Sequence, residues 1–201
     1  MMQILFGSTN PTKLEEVRYV LRDSGVHIAG LKDFSDIRPV AETGSTFAEN
    51  ALLKARGYFE ATGIPTIADD GGLMVDALDG LPGVHSHRWL GREATDQELA
   101  EAVLQRMAGV PREKRAARLG GVMVFYDGTH IIQKEQYTDG YIADRLMMPV
   151  PLGFPYRAIL MIPQFGKVYG ELTSEEHEAV NFRRKNLAVL QAEMLKYLAE
   201  K

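Results

Sequence analysis

The Asp127-Gly128 pair limits the possible folds of this sequence more than any other feature. It separates two stretches with strand-forming side chains, at residues 121–126 and 130–137. An Asp-Gly pair in that position is a strong signal for a β-hairpin, so we expect an antiparallel element. Upstream of it, strand and helix patterns alternate. The sequence therefore predicts a mixed α/β fold with a partly antiparallel central sheet.

Four helices are predicted from N-caps and apolar periodicity. The first begins after Asn10, a favourable N-cap residue. The second and third begin near Thr46 and Thr95, each with a glutamate three residues later, as in a capping box. The last begins near Thr173 and runs without a break along an apolar face that includes Leu198.

Composition and charge exclude several classes of protein. The chain has no cysteine, which rules out a disulfide framework, a thiolate zinc site and a cysteine nucleophile. The net charge is −4 and the basic residues are scattered except for two groups, at residues 112–118 and 183–185, which disfavours binding to duplex nucleic acid. No apolar run reaches the roughly 18 residues of a membrane span, and the N-terminus lacks a secretory signal. We therefore expect one cytoplasmic domain, residues 1–201, that binds neither nucleic acid nor membranes.

The loop after the first predicted strand is a candidate anion site. Ser8, Thr9 and Asn10 lie at the N-terminus of a helix, where backbone N–H groups and the helix dipole favour an anion. Lys13 lies one turn further along and adds a positive charge. The loop has one glycine and Leu14 follows the lysine, so it is not a Walker loop. The alternative interpretation is an N-cap followed by a solvated lysine.

Glu42, Asn50 and Lys54 lie around the second predicted helix. Asn50 and Lys54 are four residues apart, so they share a helix face. These polar residues border an apolar stripe, which is consistent with the wall of a cleft. The alternative is an ordinary solvated helix face.

Asp69 and Asp70 form the sharpest local feature, because the strand predicted over residues 66–68 ends at them and two glycines follow. Paired carboxylates at the end of a strand can hold a divalent cation and polarise a water molecule. Gly71 allows a bulky ligand to approach the backbone. We expect Asp70 to be exposed in a cleft. The alternative is a simple turn rich in Asp and Gly.

Four segments taken together resemble the inosine triphosphate pyrophosphatase family. Their order, spacing and residue identity agree over roughly the first 90 residues, and the joint match is specific although each segment alone is weak. The segments are Ser8-Thr9-Asn10-(x2)-Lys13, ETGSTFAENALLKA at residues 42–55, ADDGGL at residues 68–73 and GLPGV at residues 80–84.

The resemblance implies both a fold and an activity. The implied fold is a long, twisted, mixed sheet with helices on both sides, forming two lobes around a central nucleotide cleft, usually in a homodimer. The implied activity is hydrolysis of non-standard purine nucleoside triphosphates, such as those of inosine and xanthosine, between the α and β phosphates. By position, the triphosphate would be held by Ser8, Thr9, Asn10, Lys13 and Lys54. Glu42 and Asp70 would serve a Mg²⁺ ion, and Asp70 would also orient or deprotonate the attacking water, supported by Asp69.

The C-terminal half departs from the family pattern. Where the family has Gly-Phe-Gly-Tyr-Asp-Pro, this chain reads GFPYRA, so Arg157 replaces an aspartate that helps to read the base. A guanidinium only donates hydrogen bonds, so Arg157 should favour a base edge rich in acceptors, or meet a phosphate. Phe154 and Tyr156 remain able to stack a base.

A second segment departs further. The family's Lys-Asn-x-x-Ser-His-Arg corresponds to residues 177–183, in which only Arg183 is retained. His177 and Arg183 are candidates for substrate binding. The altered half leaves open a nucleotide-binding sensor of the same fold that has lost turnover. A partner-binding α/β domain, in which every polar cluster is a cap or a turn, is the alternative from a different class.

Overall fold

The computed structural model of the protein describes residues 2–200, which form seven strands and five α-helices. The strands are β1 (Met2–Phe6), β2 (Val26–Gly30), β3 (Thr66–Val75), β4 (Ala116–Tyr126), β5 (Ile131–Ile142), β6 (Leu160–Ile162) and β7 (Lys167–Val168). The helices are α1 (Pro11–Leu21), α2 (Phe47–Thr62), α3 (Asp96–Arg106), α4 (Ser174–Val180) and α5 (Phe182–Ala199). Within residues 2–200, no helix combines the length and hydropathy that a membrane span needs.

All seven strands belong to one mixed sheet with the order β2-β1-β3-β4-β5-β6-β7. β1 pairs in parallel with β2 and with β3, whereas β6 pairs antiparallel with β5 and β7. The predicted hairpin residues separate β4 from β5, and the Asp127 carboxylate accepts hydrogen bonds from the N–H groups of Thr129 and His130 at 3.1 and 2.8 Å. The predicted α/β class with a partly antiparallel sheet is confirmed.

The predicted helix starts are confirmed as well. The Asn10 side chain caps α1 by accepting hydrogen bonds from Thr12 N and Lys13 N, at 3.0 and 3.4 Å. The threonines predicted to cap α2, α3 and α4 each accept a bond from the backbone N–H three residues later. These caps depend only on local sequence, which is why the pattern predicts them.

The expected end of the third strand at Ala68 is wrong. β3 continues as a single ten-residue strand from Thr66 to Val75, straight through both aspartates and both glycines. Asp and Gly are poor strand formers, so local propensity favours a turn here. Tertiary partners override it, because both carboxylates are paired with buried cations.

The single C-terminal helix is also wrong, since α4 and α5 are separate. Asn181 between them has extended backbone angles, φ −65° and ψ 103°. The hydroxyl of Thr138 on β5 donates a hydrogen bond to the carbonyl of Val180, which gives the last carbonyl of α4 a partner outside the helix. Such a side-chain partner stabilises a helix end that the periodicity alone does not reveal.

The chain forms two compact units, each with its own core. One unit comprises residues 2–70, 121–136 and 183–200, and the other comprises residues 71–120 and 137–182. The first core includes Ile4, Phe6, Val17, Ile67, Phe125, Leu187, Leu190 and Met194. The second core includes Leu73, Leu99, Val103, Ile142, Tyr156, Leu160 and Tyr169. The single-domain assignment and the cleft implied by the resemblance stay predictions.

Candidate active site

The loop between β1 and α1 has little free hydrogen-bonding capacity at its helix end. Asn10 already occupies the N–H groups of Thr12 and Lys13, and Asn10 N donates to Ser8 Oγ at 3.3 Å. Thr9 is exposed and makes no hydrogen bond with any part of the chain that the structure describes. An anion at this loop would therefore contact Thr9 and Lys13, because the N–H groups of Thr12 and Lys13 already bond to Asn10.

Asp69 lies at the centre of a buried cluster of charges. Its Oδ2 atom is 3.0 Å from Lys13 Nζ and 3.0 Å from Arg183 Nε, and Asp69 is 4% exposed. Arg183 in turn contacts Glu16 Oε2 through Nη1 at 3.0 Å. Burial would raise the pKa of Asp69, but the charges of Lys13 and Arg183 outweigh it and hold that pKa well below its usual range. Asp69 is therefore an ionised anchor for two cations.

Asp70, on β3, forms a second cluster with side chains of α2. Asn50 Nδ2 donates to Asp70 Oδ2 at 3.1 Å, and Lys54 Nζ donates to Asp70 Oδ1 at 3.2 Å. The same ammonium lies 2.7 Å from Glu42 Oε1. The Asn50 carboxamide oxygen accepts a hydrogen bond from Gly44 N at 2.8 Å, which fixes its orientation. The shared helix face predicted for Asn50 and Lys54 is confirmed.

Burial and neighbouring charges together shift the pKa values of Asp70 and Lys54. Burial and the negative charge of Glu42 raise the pKa of Asp70 above its usual value, against the effect of Lys54. Burial would lower the pKa of Lys54, yet the charges of Asp70, Asp69 and Glu42 outweigh it and raise that pKa. The expected exposure of Asp70 is wrong, because Asp70 is only 9% exposed. Two neighbouring aspartates thus have pKa values displaced in opposite directions.

The strand explains how adjacent aspartates serve different clusters. Successive side chains of a β-strand point to opposite faces of the sheet. Asp69 meets α1 and the start of α5, through Lys13 and Arg183, while Asp70 meets α2. A turn would not separate the two carboxylates in this regular way.

The second cluster has the oxygen donors that a magnesium ion prefers. Mg²⁺ in enzymes is commonly bound through one or two carboxylates, with waters and substrate phosphates completing its coordination. Glu42 and Asp70 both approach the Lys54 ammonium, so they already face one point of positive charge. Within residues 2–200 no group of three or more acids or histidines forms a protein-only metal cage. The residues present fit a magnesium ion that is shared with phosphate.

The remaining predicted residues lie in the other unit. Tyr156 is 3% exposed, packs in the core of that unit, and donates a hydrogen bond from its hydroxyl to Ser86 O at 2.5 Å. The structure thus places Tyr156 in the core and not at a surface where a base would stack. Gly71 directly follows Asp70 on β3.

Arg157 lies against two aromatic rings. Its guanidinium carbon is 3.8 Å from the centre of the Phe154 ring and 5.3 Å from that of Tyr169. Tyr169 also makes an edge contact with His177, with ring centres 4.8 Å apart. The stack brings Phe154, Arg157 and His177 into one neighbourhood, while Arg183 lies with Asp69.

Glu16 is the functional candidate that the sequence reasoning missed. Its carboxylate holds Arg183 at 3.0 Å and Arg184 at 3.5 Å, and its side chain is 10% exposed. Glu16 follows Lys13 by three residues and so shares a face of α1 with it. That spacing was the available signal, because an acid on the same helix face as a candidate phosphate-binding lysine lies near the candidate site.

This chain is similar to known proteins along almost its whole length. The sequence model of the Ham1 family matches residues 4–193. A dITP/XTP pyrophosphatase from Yersinia pseudotuberculosis serotype I is 39% identical over 194 residues, which cover 94% of this chain and 96% of that protein. A dITP/XTP pyrophosphatase from Geobacillus kaustophilus is 40% identical over 194 residues, covering 94% and 93%.

Solved structures show the same likeness. The Staphylococcus aureus Ham1 protein superimposes with a TM-score of 0.84 at 30% identity, covering 99% of this chain and 100% of that one. A nucleoside-triphosphatase described as a dITP/XTP pyrophosphatase, from Mycobacterium abscessus, gives a TM-score of 0.76 at 37% identity, covering 94% and 98%. The altered C-terminal segments therefore lie within a fold that matches over its full length.

Proposed function

This chain belongs to the Ham1 family, and from that premise we propose that it hydrolyses non-standard purine nucleoside triphosphates to nucleoside monophosphates and pyrophosphate. Several relatives that match nearly the whole chain are named dITP/XTP pyrophosphatases. The observation that carries the proposal is the contact of the Lys54 ammonium with two carboxylates, Glu42 at 2.7 Å and Asp70 at 3.2 Å. This contact brings one buried cation and two carboxylate oxygens together, which are the groups that a magnesium-bound phosphate requires.

The cations provide the charge neutralisation that phosphoryl transfer requires. Attack at phosphorus needs a positioned nucleophile and compensation of negative charge more than covalent chemistry from the protein. Lys13 and Lys54 would bind the triphosphate, together with Ser8, Thr9 and Asn10 of the loop. Each lysine is already held by a carboxylate, so its ammonium is fixed before the substrate arrives.

The two aspartates would divide the remaining work. Asp70, oriented by Asn50 and Lys54, would align the attacking water and accept its proton. Asp69, paired with Lys13 and Arg183, would position Lys13 against the phosphates. Glu42 and Asp70 would hold Mg²⁺, which when bound adds positive charge against the phosphate oxygens.

Residues near the altered C-terminal segments would contact the base. We propose that Phe154 supplies a ring face, that Arg157 donates hydrogen bonds, and that Gly71, His177 and Arg183 complete the substrate contacts. Because a guanidinium cannot accept a hydrogen bond, we expect the preference among purine bases to differ from that of relatives with an aspartate at this position. The buried Tyr156 would support this segment through Ser86 rather than stack the base.

The decisive experiment measures pyrophosphate release from dITP, XTP, ITP, dATP and dGTP, with and without Mg²⁺. The wild-type protein should release pyrophosphate from the non-standard purines only when Mg²⁺ is present. Asp70→Asn should lower kcat by about 10²- to 10³-fold, as loss of one positioned polar group does elsewhere. Because Asp70 is buried, circular dichroism and thermal melting must show that the variant still folds.

Asp139→Asn is the matched control, because Asp139 is exposed in the other unit and the substitution is chemically the same. It should retain the wild-type rate. A folded Asp70→Asn variant with a rate near that of the control would contradict the assignment of Asp70. Nucleotide binding without any pyrophosphate release would instead support the sensor that the altered C-terminal half leaves open.

Two further expectations stay predictions. The resemblance implies a homodimer, which light scattering after size-exclusion chromatography measures directly. A cytoplasmic location is checked by fractionating cells that express the tagged full-length chain.

A further inference from the structure

A polar cavity lies in the unit that contains residues 71–120 and 137–182. Its volume is about 250 Å³, and its lining includes Arg112, Arg115, Tyr141, Asp144 and Arg145. That is many times the roughly 10–15 Å³ that one water molecule needs by the same measure, so a small anion fits in the cavity. None of the residues proposed for triphosphate hydrolysis belongs to this lining.

Arg115 forms a rigid, buried wall of the cavity. It is 4% exposed, and its guanidinium donates to the carbonyls of Ile142 at 2.7 Å, Ala143 at 2.6 Å, Met107 at 2.8 Å and Val110 at 3.2 Å. These four bonds fix the orientation of the guanidinium. Carbonyl oxygens satisfy its donors but carry no full negative charge, so the buried positive charge still favours an anion nearby.

The other cations of the lining increase this excess of positive charge. Arg112 donates to the hydroxyl of Tyr141 at 3.0 Å and lies 4.9 Å from the centre of that ring, so its side chain is held in place without an acid. Arg145 is exposed and makes no hydrogen bond or ion pair with any of residues 2–200. Three arginines thus meet one acid in the lining, Asp144.

Asp144 is a weak partner for this group of cations. Its carboxylate is 3.5 Å from Arg115 Nη1, and its side chain is 89% exposed. A pair at that distance and exposure contributes little to stability, so the carboxylate can move aside at small cost. A bound anion with a higher charge can therefore replace the Asp144 carboxylate beside Arg115.

We propose that this cavity binds a small phosphoryl anion of the size of inorganic pyrophosphate, separately from the proposed active site. The planar donors of arginine match the oxygens of a phosphoryl group, and several arginines suit an anion with more than one negative charge. Arg115 supplies a fixed cation, Arg112 and Arg145 close around the ligand, and the Tyr141 hydroxyl is free to donate its own proton. The site is independent of whether the protein hydrolyses nucleotides.

The test is isothermal titration calorimetry of the full chain with inorganic pyrophosphate, at low ionic strength and without Mg²⁺ or nucleotide. The wild-type protein should show saturable binding. Arg112→Ala and Arg145→Ala should each weaken it by roughly fivefold, the upper range for an exposed charge, and the double variant should weaken it further. Asp144→Asn should bind roughly threefold more tightly, because the competing carboxylate is gone.

Two controls separate this site from other effects of charge. Arg118→Ala removes the same charge from the same unit, where Arg118 lies 5.8 Å from the ring of Tyr137 and outside the cavity, and it should bind like the wild type. Lys13→Ala alters the proposed active site and should retain this binding. The proposal is overturned if the wild type shows no saturable binding, if the Arg112/Arg145 double variant matches Arg118→Ala, or if Lys13→Ala abolishes all binding.

Discussion

Replacing Arg183 with alanine removes the cation that joins Asp69 to Glu16 in the buried cluster. Arg183 bridges Asp69 and Glu16, at 3.0 Å in each case, and its side chain is 5% exposed. The substitution leaves two buried carboxylates that have each lost a cation. Removing one partner of a buried ion pair is costly because the other charge remains buried.

The magnitude follows from what each carboxylate retains. Loss of one partner of a buried pair typically costs about 3–5 kcal/mol. Asp69 keeps Lys13 at 3.0 Å, and Glu16 keeps Arg184 at 3.5 Å, so neither carboxylate loses all its compensation. We therefore expect the lower end, a loss of about 3 kcal/mol in the free energy of unfolding. For a chain of this length that corresponds to a fall in Tm of about 6–12 °C.

Urea denaturation followed by circular dichroism measures this loss. An unchanged m value shows that the variant exposes the same amount of surface on unfolding as the wild type. Arg18→Ala is the matched control, because Arg18 also pairs with acids, at 3.0 and 3.6 Å, but is 38% exposed. That variant should lose less than about 1 kcal/mol. If Arg183→Ala is no less stable than Arg18→Ala, the buried ion cluster does not support the fold as argued.

Three further changes test other parts of the structure. Gly72→Ala should lose about 1–3 kcal/mol in urea denaturation, since the added Cβ would lie 2.0 Å from Ser86 Oγ; wild-type stability would refute this close approach. The hydrogen bond from Arg92 and those from Thr95 lower the pKa of Glu98 to about 2, so Glu98 stabilises the fold above its unfolded pKa and loses that effect as the pH falls. The stability difference between wild type and Glu98→Gln should therefore shrink from about pH 5 to pH 2, and a constant difference would contradict it. Arg157→Asp should raise kcat/KM for dITP relative to dATP by about tenfold, because a carboxylate accepts the N1–H of a 6-oxopurine; an unchanged ratio removes Arg157 from base reading.

Local sequence determined the features whose partners are close in the chain. The Asn10 cap and the threonine caps of α2, α3 and α4 were predictable, because a cap bonds a backbone N–H two or three residues away. The hairpin was predictable because Asp127 satisfies its own turn. The common helix face of Asn50 and Lys54 followed from a spacing of four residues.

Only the tertiary structure decided the features whose partners are distant in the chain. β3 continues through Asp69 and Asp70 because Lys13, Lys54 and Arg183, from three different helices, compensate their charges. These contacts span 56, 16 and 114 residues, far beyond any local pattern. Asp69 and Asp70 reach different clusters because successive side chains of a strand point to opposite faces of the sheet. The sequence alone did not reveal that the strand continues through both residues.

The same distinction explains the C-terminal half. The apolar face of the last helix was predictable from its periodicity, and Leu187, Leu190 and Met194 are fully buried. The break at Asn181 was not, because the bond from Thr138 to Val180 joins residues 42 positions apart. Sequence patterns thus determined the helix starts and the hairpin, through short-range hydrogen bonds and periodic burial. The fold alone determined which charges are buried together, because the cost of burying a charge depends on partners that only tertiary packing supplies.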